Sequence, residues 1–514
     1  MAVHQPVVGA CNAEPDYYYD FEQLFSHGFN DCVSGDIFER RFHRAEHDFM
    51  RVCCTVDAAE DWGVSDWRKA ANWTVTEMVD TLTPPVQYCN YWDMEEDGER
   101  DPDHDKSVVV CRKIRQRNRY SYKFGDVLTA PFYLAFLAPN VRARTHRLGT
   151  EDRFGQFRAW FRLPLHMIED IADRFITEGN VHPTRRNRDP TLLRVKAELI
   201  VLACLNMLAH GTPFRCLPLN THISASEHRL YFKMFVEMFS KYRDEYIHLP
   251  RNREQLQEVM ERYRDVGLPG AMGSVDVVHC KWSKCPTGDF NRAKGKEGYP
   301  TLAFQCISDY DRRINGIFGP QWGTRNDKHI VKLDPNVKQI RRGWYSNIHW
   351  CYYRRDGTVA TDVGAYLISD NGYLRWPVTI CPFMHVKKTT CEGYFSSNLE
   401  SVRKDVECVF GILKKRWKIL DYGFKHRSMK TCSDIFVTCC CLHNMMLDIM
   451  ERMPKPPRVG RGMPLGTDGI WLGNPSDLTN TEEATNCILA TQWNDRRWRL
   501  AEHLKVWKSR GNIV

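Results

Sequence analysis

An acid in the middle of an apolar run constrains this chain more than any other feature. Asp276 stands between Val275 and Val277-Val278, after the Gly-rich entry GLPGAMGS. The run reads as a short buried strand. A carboxylate inside such a strand is costly to bury unpaired, so the fold must bring either an Arg or Lys or a metal ion to it. Asp370 closes a second apolar run, Ala365 to Ile368, and the turn-forming pair Asn371-Gly372 follows at once. Glu407 lies 37 residues further on, in a long amphipathic helix. Two Mg²⁺ or Mn²⁺ ions need oxygen ligands that converge from separate elements, and a strand centre, a strand end and a helix can supply them.

Each carboxylate also has a plainer reading. In the helix bearing Glu407, Leu399, Val402, Val406, Phe410, Leu413, Trp417 and Leu420 step by three and four, giving one continuous apolar stripe. Glu407 is one residue off that stripe, about 100° round the axis, at the shoulder of the buried face. Gly411, one turn on, leaves the space above the carboxylate open. The plainer reading is an ion pair between Glu407 and Arg403, four residues earlier. Asp370 could be a turn residue only. Asp309 and Asp311 flank a hairpin turn and read as structural. The metal reading is preferred because all three spacings fit together.

Between Ser401 and Lys430 nine Lys/Arg face three Asp/Glu, a local balance of +6. Arg403, Lys414 and Lys415 are its candidates for contact with a phosphodiester backbone, although a charged surface helix would give the same count. His279, Cys280 and Cys285 make half of a zinc site, with no second pair at a suitable spacing. His443, in the apolar CLHNMM, reads as a hydrogen-bonded core histidine. No P-loop, dinucleotide turn or nucleophile elbow occurs, so no nucleotide cofactor is expected.

The 514 residues allow two or three domains. Hydrophobic content of 43% argues for a folded chain, and a net charge of +8 permits a nucleic-acid partner without demanding one. Twenty cysteines fall in adjacent runs such as Cys53-Cys54 and Cys439-Cys440-Cys441, not in a disulfide framework. Reduced thiols in a nuclear or cytosolic protein fit better. The first residues lack a basic stretch leading into an apolar core, so a signal peptide is not expected. The longest apolar helical stretch, Leu199 to Ala209, is too short to span a bilayer.

Residues 1–150 are poorly legible, with an acidic block at Asp93–Asp105 and a basic block at Cys111–Tyr120. Residues 151–265 read as helical. Val195, Leu199, Leu202, Leu205 and Leu208 recur near helical spacing until Gly211 and Pro213 stop them, and Ser224 with Glu227 forms a capping box for the next helix. That helix carries Leu230, Met234, Phe235, Met238 and Phe239 on one side. The pair fits a helix-turn-helix with Arg229 and Lys233 as exposed DNA contacts, and equally any compact helical bundle. Residues 266–450 alternate strands and helices. Thr301–Ser308 and Ile314–Phe318 read as an antiparallel pair that forms a meander with the Asp276 strand. Residues 451–514 start with a Pro/Gly/basic linker from Pro454 and finish in TQWNDRRWRLAEHLKVW, one amphipathic helix.

Five blocks in order, GLPGAMGSVDVVHCKWSKCP, FGPQWGTRNDKHI, YLISDNGYLRWP, SVRKDVECVFGILKKRWKIL and CLHNMM, resemble PIF/Harbinger-type transposases, especially their plant-transposon-protein branch. The resemblance runs from about Phe154 to Met450. It implies an α+β chain: a helical N-terminal DNA-binding region, then a ribonuclease-H-like mixed β-sheet catalytic domain flanked by helices, which the element order matches. It also implies a DDE triad of Asp276, Asp370 and Glu407, with Asp327 as an accessory metal ligand, and a divalent metal cation as cofactor. Implied partners are DNA (transposon ends and target), a separate Myb-like DNA-binding protein and further copies of the chain, in the nucleus. The rival readings are a domesticated, non-catalytic DNA-binding descendant, or a ribonuclease-H-like nuclease acting on RNA or branched DNA.

Overall fold

The acid-bearing run is strand β1, Ala271–Lys281, in the middle of a five-stranded sheet of order β3-β2-β1-β6-β7. The other members are β2 (Thr301–Ser308), β3 (Ile314–Trp322), β6 (Tyr366–Ile368) and β7 (Thr379–Ile380). A separate two-stranded sheet pairs β4, His349–Tyr353, with β5, Val359–Val363. The computed structural model describes residues 126–148, 156–181, 189–451 and 482–511. The acidic block Asp93–Asp105, the basic block Cys111–Tyr120, Cys53-Cys54 and the linker from Pro454 lie outside those residues.

Strands β1, β2 and β3 form the expected antiparallel meander, with Asp276 opposite Cys306. β6 and β7 then add in parallel. Ser274 pairs with Ile368, the last residue of β6; Asp276 lies two residues further along β1, and Asp370 two residues beyond the end of β6. β3 runs four residues past its expected end at Phe318, through Gly319-Pro320. It is the edge strand, where a proline's missing N–H leaves no ladder partner unsatisfied.

Around the sheet lie α1 (Leu165–Thr177), α2 (Pro190–His210), α3 (Ala225–Lys241), α4 (Arg253–Asp265), α5 (Asp327–Leu333), α6 (Cys391–Arg416), α7 (Met429–Glu451) and α8 (Glu482–Ser509). Both α4 and α6 pack against β1, and α7 packs against β3. The buried stripe of α6 is Leu399, Val402, Val406, Val409, Phe410 and Leu413. Trp417 and Leu420 are buried as well but do not continue it. The helix ends at Arg416 and a short second helix, Lys418–Tyr422, carries on at a new angle.

The capping box of α3 is present: Ser224 Oγ accepts from Glu227 N–H (3.2 Å) and Glu227 Oε2 accepts from Ser224 N–H (3.3 Å). Gly211 closes α2 in the left-handed region, as its position implies. The buried face of α3 is His228, Phe232, Phe235, Val236, Met238 and Phe239. Leu230, expected on that face, is 56% exposed. It lies two residues from both His228 and Phe232, about 200° round the axis from each, which turns it away from the buried stripe. This face packs on α2 and α7 within one compact unit, Asp105–Val514.

The C-terminal stretch forms α8, one helix as expected, and it packs along α6, β4 and β7. Trp493, Leu500, Ala501, Leu504 and Trp507 join the same core as Val275, Tyr366 and Phe395. Trp493 Nε1–H donates to the Thr379 carbonyl of β7 (2.9 Å), and Arg496 and Arg499 both pair with Asp362 of β5. Gly267 is required by this packing: its φ is +80°, and a Cβ there would lie 2.3 Å from Leu504 Cδ1. No described helix is long and apolar enough to cross a membrane, and every described cysteine is a free thiol.

Candidate carboxylate site

The fold answers the problem posed by Asp276 with an arginine. Asp276 Oδ1 accepts from the Val277 N–H (2.8 Å), and Oδ2 accepts from Arg403 Nη1 (3.2 Å). The same guanidinium nitrogen lies 2.7 Å from Glu407 Oε1. One cation thus bridges two of the three expected ligands. The Arg403–Glu407 pair of the plainer reading is present, and it also reaches Asp276. Glu407 is exposed at the shoulder of α6, and Gly411 one turn on has open space beside it.

Asp370 sits beyond β6, its Oδ1 accepting from the Gly372 N–H (2.9 Å). Asp327 begins α5, where Asn326 caps the helix by accepting from His329 N–H. Gly372 touches both acids. A Cβ at Gly372 would lie 3.0 Å from Asp370 Oδ1 and 3.1 Å from Asp327 Oδ2. The Asp370 turn therefore exists, and the same turn holds two carboxylates side by side.

The electrostatics describe one shared cluster. Burial pushes the Asp276 carboxyl up to about 6, against the Val277 N–H and Arg403, and the charges of Asp370 and Glu407 add to the rise. Burial raises Asp327 too, Asp370 adds to it, and Lys296 opposes. Tyr373 is buried beside Asp276, Asp327 and Asp370, and its hydroxyl has no hydrogen-bond partner among the described residues. Burial and these acids hold it well above its ordinary range, so it stays a donor.

Four oxygen-donor side chains that repel one another, beside an unsatisfied hydroxyl, suit a hard divalent cation. In donor chemistry the residues fit. Their positions are those of an Arg-neutralised cluster: among the described residues no three His, Cys, Asp or Glu side chains close on one point that could hold a metal. The tight convergence expected of the triad is therefore not reached, because Arg403 occupies the gap between Asp276 and Glu407. The half zinc site at His279, Cys280 and Cys285 gains no further ligand either.

The expected phosphate contacts fall in different settings. Lys233 and Lys415 are exposed. Lys414 turns inward, its Nζ 3.5 Å from the His279 carbonyl. Arg229 is half-buried, over the Phe214 ring at 5.6 Å, and not the open contact expected of it. Reading the sequence missed Tyr373 and the double contact of Arg403. The first has no signal beyond following Asn371-Gly372. The second depends on a residue 127 positions away.

Comparison with known proteins gives a consistent kinship. Residues 244–453 match the model of the plant transposon protein family. The chain is 20% identical over 201 residues to the protein ALP1-like of Arabidopsis thaliana, covering 38% of this chain and 48% of that one. It is 20% identical over 269 residues to human HARBI1, whose name marks it as a candidate nuclease, covering 52% of this chain and 70% of that one. The Bos taurus form matches to the same extent. The chain thus spans about half the length of the Arabidopsis relative. No solved structure matches it significantly. Residues 244–453, which include the carboxylates Asp276, Asp327, Asp370 and Glu407, are thus similar to the plant transposon protein family, and the relatives are consistent with a Harbinger-type transposase.

Proposed function

We propose that this chain is a divalent-metal-dependent nuclease and transposase that cleaves phosphodiester bonds at transposon ends and transfers the freed 3′-hydroxyl to target DNA. The observation that carries the reading is the gathering of four acids: Asp276 on β1 and Asp370 just beyond the adjacent parallel strand β6, with Asp327 against Asp370, and Glu407 joined to Asp276 through Arg403. The strand order, three antiparallel and two parallel with an acid on the central strand, supports a ribonuclease-H-like assignment. The relative's name adds support for nuclease chemistry.

Asp276, Asp370 and Glu407 would hold Mg²⁺ or Mn²⁺, with Asp327 as accessory ligand. A bound divalent ion supplies Lewis acidity and makes water a usable nucleophile at neutral pH. The Val277 N–H fixes one oxygen of Asp276 and the Gly372 N–H fixes one of Asp370, while the second oxygen of Asp276 accepts from Arg403. Arg403 keeps the acids together before loading. It then turns from Asp276 to the DNA phosphate, where its charge offsets that developing on the phosphoryl oxygens. Lys415, with Lys414 one residue before it, lines the approach along α6. Lys233, exposed on α3, forms the second DNA contact, with the half-buried Arg229 one turn before it in support. The reaction takes place in the nucleus, with a Myb-like protein as DNA-binding partner and further copies of the chain synapsing the two ends.

The test is strand cleavage of element ends in Mg²⁺ or Mn²⁺, with the Myb-like partner supplied, for wild type beside Asp276→Asn. Cleavage by wild type and loss of both cleavage and Mn²⁺ binding in the variant, with DNA binding retained, is expected. Cleavage that persists in Asp276→Asn rejects the metal mechanism. A specific observation favours a second reading, a domesticated DNA-binding protein: Arg403 already neutralises two of the three acids. Wild type that binds DNA but neither Mn²⁺ nor cleaves would select it.

A further inference from the structure

The connection between β1 and β2 carries two large aromatic rings that the fold leaves in solvent. Phe290 is 40% exposed and Tyr299 43% exposed. Each lies beneath a lysine: Lys294 Nζ is 5.8 Å from the centre of the Phe290 ring, and Lys281 Nζ is 5.5 Å from that of Tyr299. From Lys281 to Pro300 the sequence holds five Lys/Arg against Asp289 and Glu297. Exposed rings cost solvation free energy, and neither ring serves the core.

The connection is fixed in place. Thr324 donates twice to the Arg292 carbonyl, from N–H (3.3 Å) and Oγ1–H (2.8 Å). Gly295 and Gly323 meet so closely that a Cβ on either would clash with the other's neighbourhood. Trp282 N–H donates to the Pro300 carbonyl (2.9 Å), and the Trp282 ring lies against Trp322. The anchor, 322–324, comes just before Asp327, and Lys296 of the same connection acts on the Asp327 carboxyl. The platform is therefore anchored to the segment that leads directly into Asp327.

We propose that Phe290 and Tyr299, with Lys294 and Lys281, form a stacking subsite for unpaired bases of the DNA strand that runs into the carboxylate cluster. Inside a duplex both faces of a base are covered by its neighbours, so a ring can stack only on an unpaired or terminal base. The lysines steady the rings and face the phosphates between the bases. This rests on the reading of DNA as substrate and narrows it: strand ends opened from the duplex are the form bound beside the site. Stacking on a ring discriminates by strandedness and not by sequence, which suits a surface with no base-edge donors assigned to it.

The test is fluorescence anisotropy with the full chain in EDTA, so that it is independent of cleavage. The probes are a fluorescein-labelled 20-nucleotide strand and the same strand annealed to its complement. Phe290→Ala and Tyr299→Ala should each weaken single-strand binding about 5- to 150-fold, the range set by about 1–3 kcal/mol per stacked base. Duplex binding should change less than about twofold, and the salt slope should stay constant because no charge is removed. Phe290→Leu keeps an apolar side chain and loses the ring, so it should behave like Phe290→Ala. A 2-aminopurine in the strand should be quenched by wild type and not by the variants. Equal loss for both DNA forms, no loss for the single strand, or wild-type binding by Phe290→Leu overturns the proposal. Ring-dependent binding without metal-dependent cleavage would leave the subsite standing and reject the nuclease reading. Cleavage with dispensable rings would do the reverse.

Discussion

Replacing Gly372 with alanine tests the carboxylate cluster without altering its charge. The backbone at Gly372 is outside the left-handed region, so the variant carries no backbone strain. Its methyl group would lie 3.0 Å from Asp370 Oδ1, 3.3 Å from Asp370 Oδ2 and 3.1 Å from Asp327 Oδ2, where ordinary contacts begin at 3.4 Å. Each carboxylate must yield by a few tenths of an ångström, and the two yield in different directions. Catalytic and metal constellations tolerate about 0.5 Å, and a displacement of about 1 Å costs on the order of 100-fold. A fall of about 10- to 30-fold in both Mn²⁺ affinity and cleavage rate is therefore expected. Stability should change by less than about 1 kcal/mol, because the methyl group enters a half-open turn and not the core. Calorimetric Mn²⁺ titration, single-turnover cleavage and thermal melting measure the three quantities. An unchanged affinity and rate in a folded variant would mean that Asp327 and Asp370 do not act as a pair, and the site would need a different set of ligands.

Gly411→Ala should raise stability by about 1 kcal/mol, since Gly411 lies inside α6 with nothing within 4 Å of a new Cβ; a lower melting temperature would show that this position is covered. His443 is buried and satisfied as the neutral ring, with Nε2 facing the Arg312 carbonyl (2.9 Å) and Nδ1 facing Arg416 Nη1 (3.2 Å); burial pulls it down to about 3 from its ordinary 6.5. Its folded pKa is depressed, so its contribution is present above about pH 6.5 and is lost as pH falls toward 3. At pH 5 the loss is about 2 kcal/mol. Urea melts at pH 7 and pH 5 should therefore show His443→Gln losing about 2 kcal/mol less than wild type, and parallel losses would refute the assignment. Arg229→Ala and Lys233→Ala should weaken DNA binding and flatten its salt dependence by about one unit of slope for each phosphate contact removed. An unchanged slope would leave α3 as a packing helix.

Local signals in the sequence are strong enough to mark the meander, the capping box and the C-terminal helix. A mostly apolar segment interrupted by Gln305 marks β2, and Ser224 with Glu227 marks the start of α3. The β4–β5 hairpin carries a local signal that the sequence reading did not use, Asp356-Gly357 between the two strands. Leu230 could not be assigned from periodicity alone, because the buried face of α3 is fixed by where α2 and α7 lie against it. At the site, the sequence offered both a metal ligand and an ion pair for Glu407. The ion pair is what the side chains form, and its second arm to Asp276 is a tertiary fact with no local signature. That Asp276 and Asp370 stand on neighbouring segments follows from the parallel pairing of β1 with β6, which single-strand patterns do not encode.

The helix α8 gives this protein an order of assembly. The family match stops at residue 453, yet Trp493, Leu500, Leu504 and Trp507 complete the core behind β6, and Trp493 ties down β7, the strand next to the one that carries Asp370. A ribosome reading this message must pass residue 507 before that wall can close. Until then the parallel half of the sheet has an open apolar flank, and the carboxylate cluster has no fixed backing. A chain cut at the edge of the family match would keep every candidate ligand and lack the α8 residues that close the core. A truncated product would therefore keep all four acids while losing the wall behind β6 and β7.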